Sequence, residues 1–68
     1  MTQRWRTASR VELVDGYSLI DREGRAVRTI DDVRVSIDGG FLHIELAAGG
    51  EVQVVSAPAV ARVTYQQA

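Results

Sequence analysis

The stretch Gly16-Tyr17-Ser18-Leu19-Ile20-Asp21-Arg22-Glu23-Gly24-Arg25-Ala26-Val27-Arg28-Thr29-Ile30-Asp31-Asp32-Val33-Arg34-Val35 decides the fold class. It reads as strand, tight turn, strand, corner, strand, with acidic and glycine punctuation at the joints. Helical spacing is nearly absent and alternation of period two dominates. Tyr17 to Asp21 and Ala26 to Ile30 form a hairpin closed by Arg22-Glu23-Gly24, with Gly24 in the left-handed position. The Asp31-Asp32 pair marks the corner into the next strand.

Working downstream, Val33, Val35 and Ile37 share one face, with Arg34 and Ser36 on the other. Asp38-Gly39-Gly40 is a hairpin turn of the kind that needs positive φ at both central positions. Leu42, Ile44 and Leu46 then line one face of a strand, opposed by Phe41, His43 and Glu45. After the turn Ala47-Ala48-Gly49-Gly50, the segment Glu51 to Val55 returns with Val52 and Val54 expected inward. Ser56-Ala57-Pro58-Ala59 breaks the ladder, because proline has no N–H to donate. A single helical turn capped by Ser56 fits there. Val60 to Tyr65 is the last strand, and Arg10 to Val14 the first, with Val11 and Leu13 on one face. Residues 1–8 and Gln66 to Ala68 are expected to fray.

The expected fold is therefore all-β: one small single-domain antiparallel β-barrel, or a sandwich, of six to seven short strands. A barrel is preferred because closure removes exposed edges. The domain is expected over residues 10–66, with residues 1–9 as a basic N-terminal arm.

With 68 residues and no cysteine, neither a disulfide framework nor a thiolate metal site is available. A chain this short leaves much of its surface unburied, so its core needs to be compact or shared with a partner. The net charge is −1, which gives no global attraction to nucleic acid or an anionic membrane. Arg4, Arg6 and Arg10 nevertheless concentrate positive charge at the N-terminus, where no acid precedes Glu12. No apolar run reaches the length of a membrane span, and no signal peptide is visible. A cytoplasmic location is the resulting expectation.

The pattern Gly16, Leu19-Ile20, Asp21, Gly24, Val27, Ile30, Asp32-Val33 and Val35 resembles the opening of PRC-barrel domains. The resemblance covers roughly Gly16 to Val63. Arg28 departs from it, standing where that family usually has glycine. The resemblance implies a small β-barrel with an adaptor or assembly role, sometimes on a ribonucleoprotein. It carries over no catalytic residue, because the motif shapes turns.

Chemistry-bearing constellations are sparse. His43 is the sole histidine, and Glu45 shares its strand face. A lone histidine without a cleft and an orienting partner reads as a solvated strand residue. Asp31 and Asp32, as neighbours in a strand, are expected on opposite faces rather than on one metal. No catalytic, metal or cofactor-binding residue is assigned, no small-molecule substrate is evident, and the chain is expected not to be an enzyme.

Two surfaces read as partner-binding. The first is Phe41 with Val55, placed by alternation opposite the regular inward set. They form either an apolar association patch or the second side of a two-sided core. The second is Trp5 amid Arg4, Arg6 and Arg10, where the ring stacks on a base, anchors a protein, or caps the barrel end. The leading expectation is a non-enzymatic, self-associating interaction module using Trp5, Phe41 and Val55. The alternative is an RNA- or ribonucleoprotein-binding barrel using Arg4, Trp5, Arg6 and Arg10.

Overall fold

The computed structural model describes residues 4–47 and 49–65. Its strands are β1 (Arg6–Leu13), β2 (Leu19–Ile20), β3 (Ala26–Val27), β4 (Thr29–Asp38), β5 (Phe41–Glu45), β6 (Val52–Ser56) and β7 (Val60–Tyr65). A 3₁₀ turn, Ala57–Ala59, joins β6 to β7. All pairings are antiparallel: a five-stranded sheet in the order β6-β5-β4-β1-β7, and a β2–β3 ribbon. The chain is a small all-β domain. The five-stranded sheet is open, with β6 and β7 as its two edges. No helix among the described residues is long and apolar enough to cross a membrane.

The turns follow from their residue types. Gly39 and Gly40 both have positive φ, 59° and 84°, so the β4–β5 connection is the tight two-residue turn that the glycine pair allows. Gly24 sits at φ 83° in the β2–β3 turn. The Asp21 carboxylate organises that turn, accepting from the backbone N–H groups of Glu23 and Arg25 at 2.9 Å each. Ser56 precedes the 3₁₀ turn as expected, but its side chain makes no capping bond.

These bonds have a consequence at low pH. The backbone N–H of Arg25, and then that of Glu23, hold the Asp21 carboxyl below the usual carboxylate range. The hydrogen bond and charge of Arg10 do the same for Asp31. A carboxyl depressed by folding stabilises the native state above its unfolded pKa of about 3.9, and that contribution disappears as pH falls through the lower folded value. Urea unfolding followed from pH 7 downward should therefore show stability falling below about pH 4. Asp21→Ala should flatten that acid limb, and an unchanged limb would remove Asp21 from the account.

The core forms on one face of the large sheet. Val11, Val33, Val35 and Ile44 are essentially inaccessible, and Ala8, Leu13, Ile30 and Leu42 lie beside them. Leu19 of β2 is also buried, so the small ribbon supplies a plug to the same interior. Leu46, Val55, Val60, Val63 and Tyr65 pack at the margin.

The strand interiors depart from simple alternation at one place. In β1 the buried residues are Ala8, Val11 and Leu13, and in β4 they are Ile30, Val33 and Val35. Each strand therefore switches face between Ala8–Val11 and Ile30–Val33. The two switches lie opposite one another, so the register holds: Ala8 pairs with Val33, Arg10 with Asp31 and Val11 with Ile30. Asp32 supplies the local turn of the chain, with φ 55°, a left-handed conformation that Asp tolerates better than most residues. The expected opposite-face placement of Asp31 and Asp32 fails here, and both are exposed. Arg22 supports the corner, its guanidinium donating to the carbonyls of Asp31 (3.3 Å), Asp32 (2.6 Å) and Leu46 (3.1 Å).

Three further expectations are corrected. The first strand begins at Arg6, so residues 6–9 of the supposed arm belong to the sheet, with Ala8 fully buried between β4 and β7. Residues 1–3 and 66–68 lie outside the described residues. Ile37, expected inside, is 67% exposed. It keeps the inner face opposite buried Leu42, but sits one residue from the end of β4. Finally, β6 has the opposite facing from that expected. Val55 pairs with Leu42 and Gln53 with Ile44, so these two turn inward, while Val52 and Val54 face out.

The inverted facing of β6 has a physical cause in Gln53. Its carboxamide accepts from the Ile20 N–H at 2.9 Å and donates to the Ile20 carbonyl at 2.8 Å. One side chain thus satisfies both backbone groups of a residue in the short ribbon. Turned outward, Gln53 would lose both bonds.

Candidate functional site

The outward face of β1, β4, β5 and β6 follows from the registers. One row holds Thr7, Arg34, Glu45 and Val52; the next holds Ser36, His43 and Val54; the last holds Asp38, Phe41 and Ser56. Apolar side chains in these rows stay in water: Phe41 is 49% exposed, Val54 51% and Val52 42%. Ser36 is buried although it shares this face. Extending the β1–β4 register by one residue sets Trp5 opposite it. Trp5 is half-buried, and the Arg34 guanidinium stands 5.6 Å from its ring centre. Arg34 also binds Glu45 at 3.1 Å. Glu45 therefore has an arginine partner on this face.

Val55 does not belong to this surface. It is half-buried and packs against the core, on the opposite face of β6 from Val54. The expected Phe41–Val55 patch is replaced by Phe41 with Val54 and Val52. The sequence signal was ambiguous, since Val52-Gln53-Val54-Val55 offers valines to either face. The turn at Gly39-Gly40 fixes Leu42 inward, but the longer connection from Leu46 to Glu51 hides the parity of β6.

The arginines of the N-terminus are not gathered into one patch. Arg6 lies 3.9 Å over the Tyr65 ring. Arg10 is paired with Asp31 at 2.8 Å, and the bond raises its already high pKa. Arg4 is exposed. A polar cleft beside Arg10 also holds Glu12, Asp31 and Arg62, but its charges are of both signs and Arg62 approaches Glu12 at 3.8 Å.

A second apolar feature adjoins the first. Ile37, Gly40, Phe41, Leu42, Ala57 and Val60 line a shallow groove of about 290 Å³ at the end of the β4–β5 hairpin. Among the described residues, no three His, Cys, Asp or Glu side chains converge as metal ligands would. His43 lies between Ser36 and Val54 in its row, half-buried. No protein-family model, curated protein or solved structure matches this chain.

Proposed function

We propose that this chain is a non-enzymatic interaction module, a sheet coiled toward a small barrel, that associates with a second copy of itself through the outward face of β4, β5 and β6. The observation that carries this reading is the grouping of Phe41, Val52 and Val54, three large apolar side chains left in water on one face. Such clusters mark association surfaces more often than scattered exposed residues do. A domain of this size also gains from sharing buried area with a partner. Trp5 lies on the same face, at the far end of the row Ser36, His43 and Val54, and is an aromatic of the kind that anchors interfaces. The resemblance to PRC-barrel domains supports an assembly role of the same kind.

Binding to RNA through Arg4, Trp5, Arg6 and Arg10 has less support, since Arg10 is neutralised by Asp31 and Arg6 is stacked on Tyr65. Sedimentation equilibrium over a wide concentration range tests the leading reading. The wild-type chain is expected to dimerise. Phe41→Asp should raise the dissociation constant about 30-fold or more, the effect of losing one interface anchor. Phe41 is half-exposed, so the variant should keep the wild-type circular dichroism. A strict monomer at millimolar concentration would end the proposal.

A further inference from the structure

The two edges of the large sheet are built differently. The β7 edge is guarded: the β1–β7 ladder carries two register shifts, and exposed Arg62 stands in the middle of the strand. Bulges and charges are the usual devices that stop an edge from recruiting another strand. The β6 edge has neither. Val52-Gln53-Val54-Val55-Ser56 carries no charge and no proline, and it pairs with β5 in unbroken register.

The direction of the β6 backbone groups can be derived. The tight turn makes Asp38–Phe41 a mutually bonded pair, so Phe41, His43 and Glu45 point their backbone groups at β4. Leu42 and Ile44 therefore point theirs at β6, meeting Val55 and Gln53. The Ala57 N–H to Gly40 carbonyl bond, 2.8 Å, continues the same alternation. Val52 and Val54 are left with their N–H and C=O groups directed away from β5, and no described strand pairs with that side. The β2–β3 ribbon reaches β6 only through the inward Gln53 side chain.

We infer that the β6 edge pairs antiparallel with the β6 edge of a second copy, about a two-fold axis at Val54. This rests on the self-association proposed above and moves the contact to the β6 margin of that face. In that register Val54 faces its own counterpart, and the pair exchanges two backbone hydrogen bonds. Val52 faces Ser56 of the second copy. The only nearby charge, Glu51, faces Ala57, so no like charges meet. Pro58, which lacks an N–H, ends the ladder one residue further on. The two sheets become one ten-stranded sheet. The Val52 and Val54 side chains of both copies then form one apolar strip, flanked on each side by Phe41. Beyond the ladder, the contact gains the flank of Val54 against its counterpart and of Val52 against Ser56 of the second copy.

Val54→Pro tests the inference. It deletes the outward N–H without touching the β5–β6 ladder, and proline is tolerated where an edge N–H faces solvent. Two lost hydrogen bonds per dimer should raise the dissociation constant about 30-fold. If Phe41→Asp weakens the dimer and Val54→Pro does not, the outward face still mediates association and the edge pairing is overturned. If both weaken it, the pairing stands. A wild-type monomer would overturn both. Should Val54→Pro not fold, amide hydrogen exchange on the wild-type chain decides. The Val52 and Val54 amides should exchange more slowly as concentration rises, and exchange independent of concentration overturns the pairing.

Discussion

Ile44→Ala should remove most of this protein's stability. Ile44 is wholly inaccessible and sits in the middle of the sheet, paired with buried Val35 on one side and inward Gln53 on the other. Truncating a buried isoleucine costs about 2–5 kcal/mol, because the lost transfer energy is joined by the cavity it leaves. A domain of this length has only about 3–10 kcal/mol in total. The expected result is a fall of roughly 10–25 °C in Tm, or a chain largely unfolded at 37 °C. Ile37→Ala is the internal control. Ile37 has the same side-chain chemistry and the same strand-face parity as Val35, but it is 67% exposed and should cost less than about 0.5 kcal/mol. Urea denaturation of the two variants measures both. Equal losses at Ile37 and Ile44 would show that the inner row is not buried as described.

That contrast also shows what could be read from the sequence and what could not. Val33, Val35, Leu42 and Ile44 were legible because alternation flanked by a two-glycine turn leaves one register. Gly24, Gly39 and Gly40 were legible because positive φ has a residue signature. The extent of β7 was legible because Pro58 stops one ladder and Val60 starts the next. Ile37 was not, because its pattern is identical to that of its buried neighbours and only its distance from the end of β4 separates them. The start of β1 was hidden by Arg6, whose charge looks like an arm, although its guanidinium lies over Tyr65.

Other features depended on tertiary partners that local pattern does not carry. The paired face switches in β1 and β4 cancel in the register, so neither strand alone announces them. The facing of β6 depended on Gln53 finding the backbone of Ile20, 33 residues away. Phe41 was identifiable as outward from its own hairpin. Val54 was not, and the same run of valines leaves the side of Val55 open. The candidate surface was thus half visible, through the residue nearest a short turn.

The second large effect is expected at Leu19, and it bears on how the inner face is closed. Leu19 belongs to a strand of only two residues, with Ile20 and Tyr17 about half exposed beside it, yet its own side chain is 1% exposed. A five-stranded open sheet cannot cover its own inner face without help. The β2–β3 ribbon supplies that help, tied down by the Gln53 bonds to Ile20, by the Arg22 bonds to three carbonyls, and by the Leu13 N–H to Arg28 carbonyl bond of 2.7 Å. The Gln53 and Arg22 ties lie near solvent, where each is worth about 1 kcal/mol or less. The buried leucine is worth more, and Leu19→Ala should cost about 2–5 kcal/mol. Leu19→Met, which conserves volume, should cost less than about 1.5 kcal/mol. Because the ribbon makes few other apolar contacts, its amides at Gly24 and Arg25 should lose hydrogen-exchange protection before those of β4 and β5 do. A Leu19→Ala variant within about 0.5 kcal/mol of wild type would mean that the ribbon is an appendage and the inner face is closed by something else.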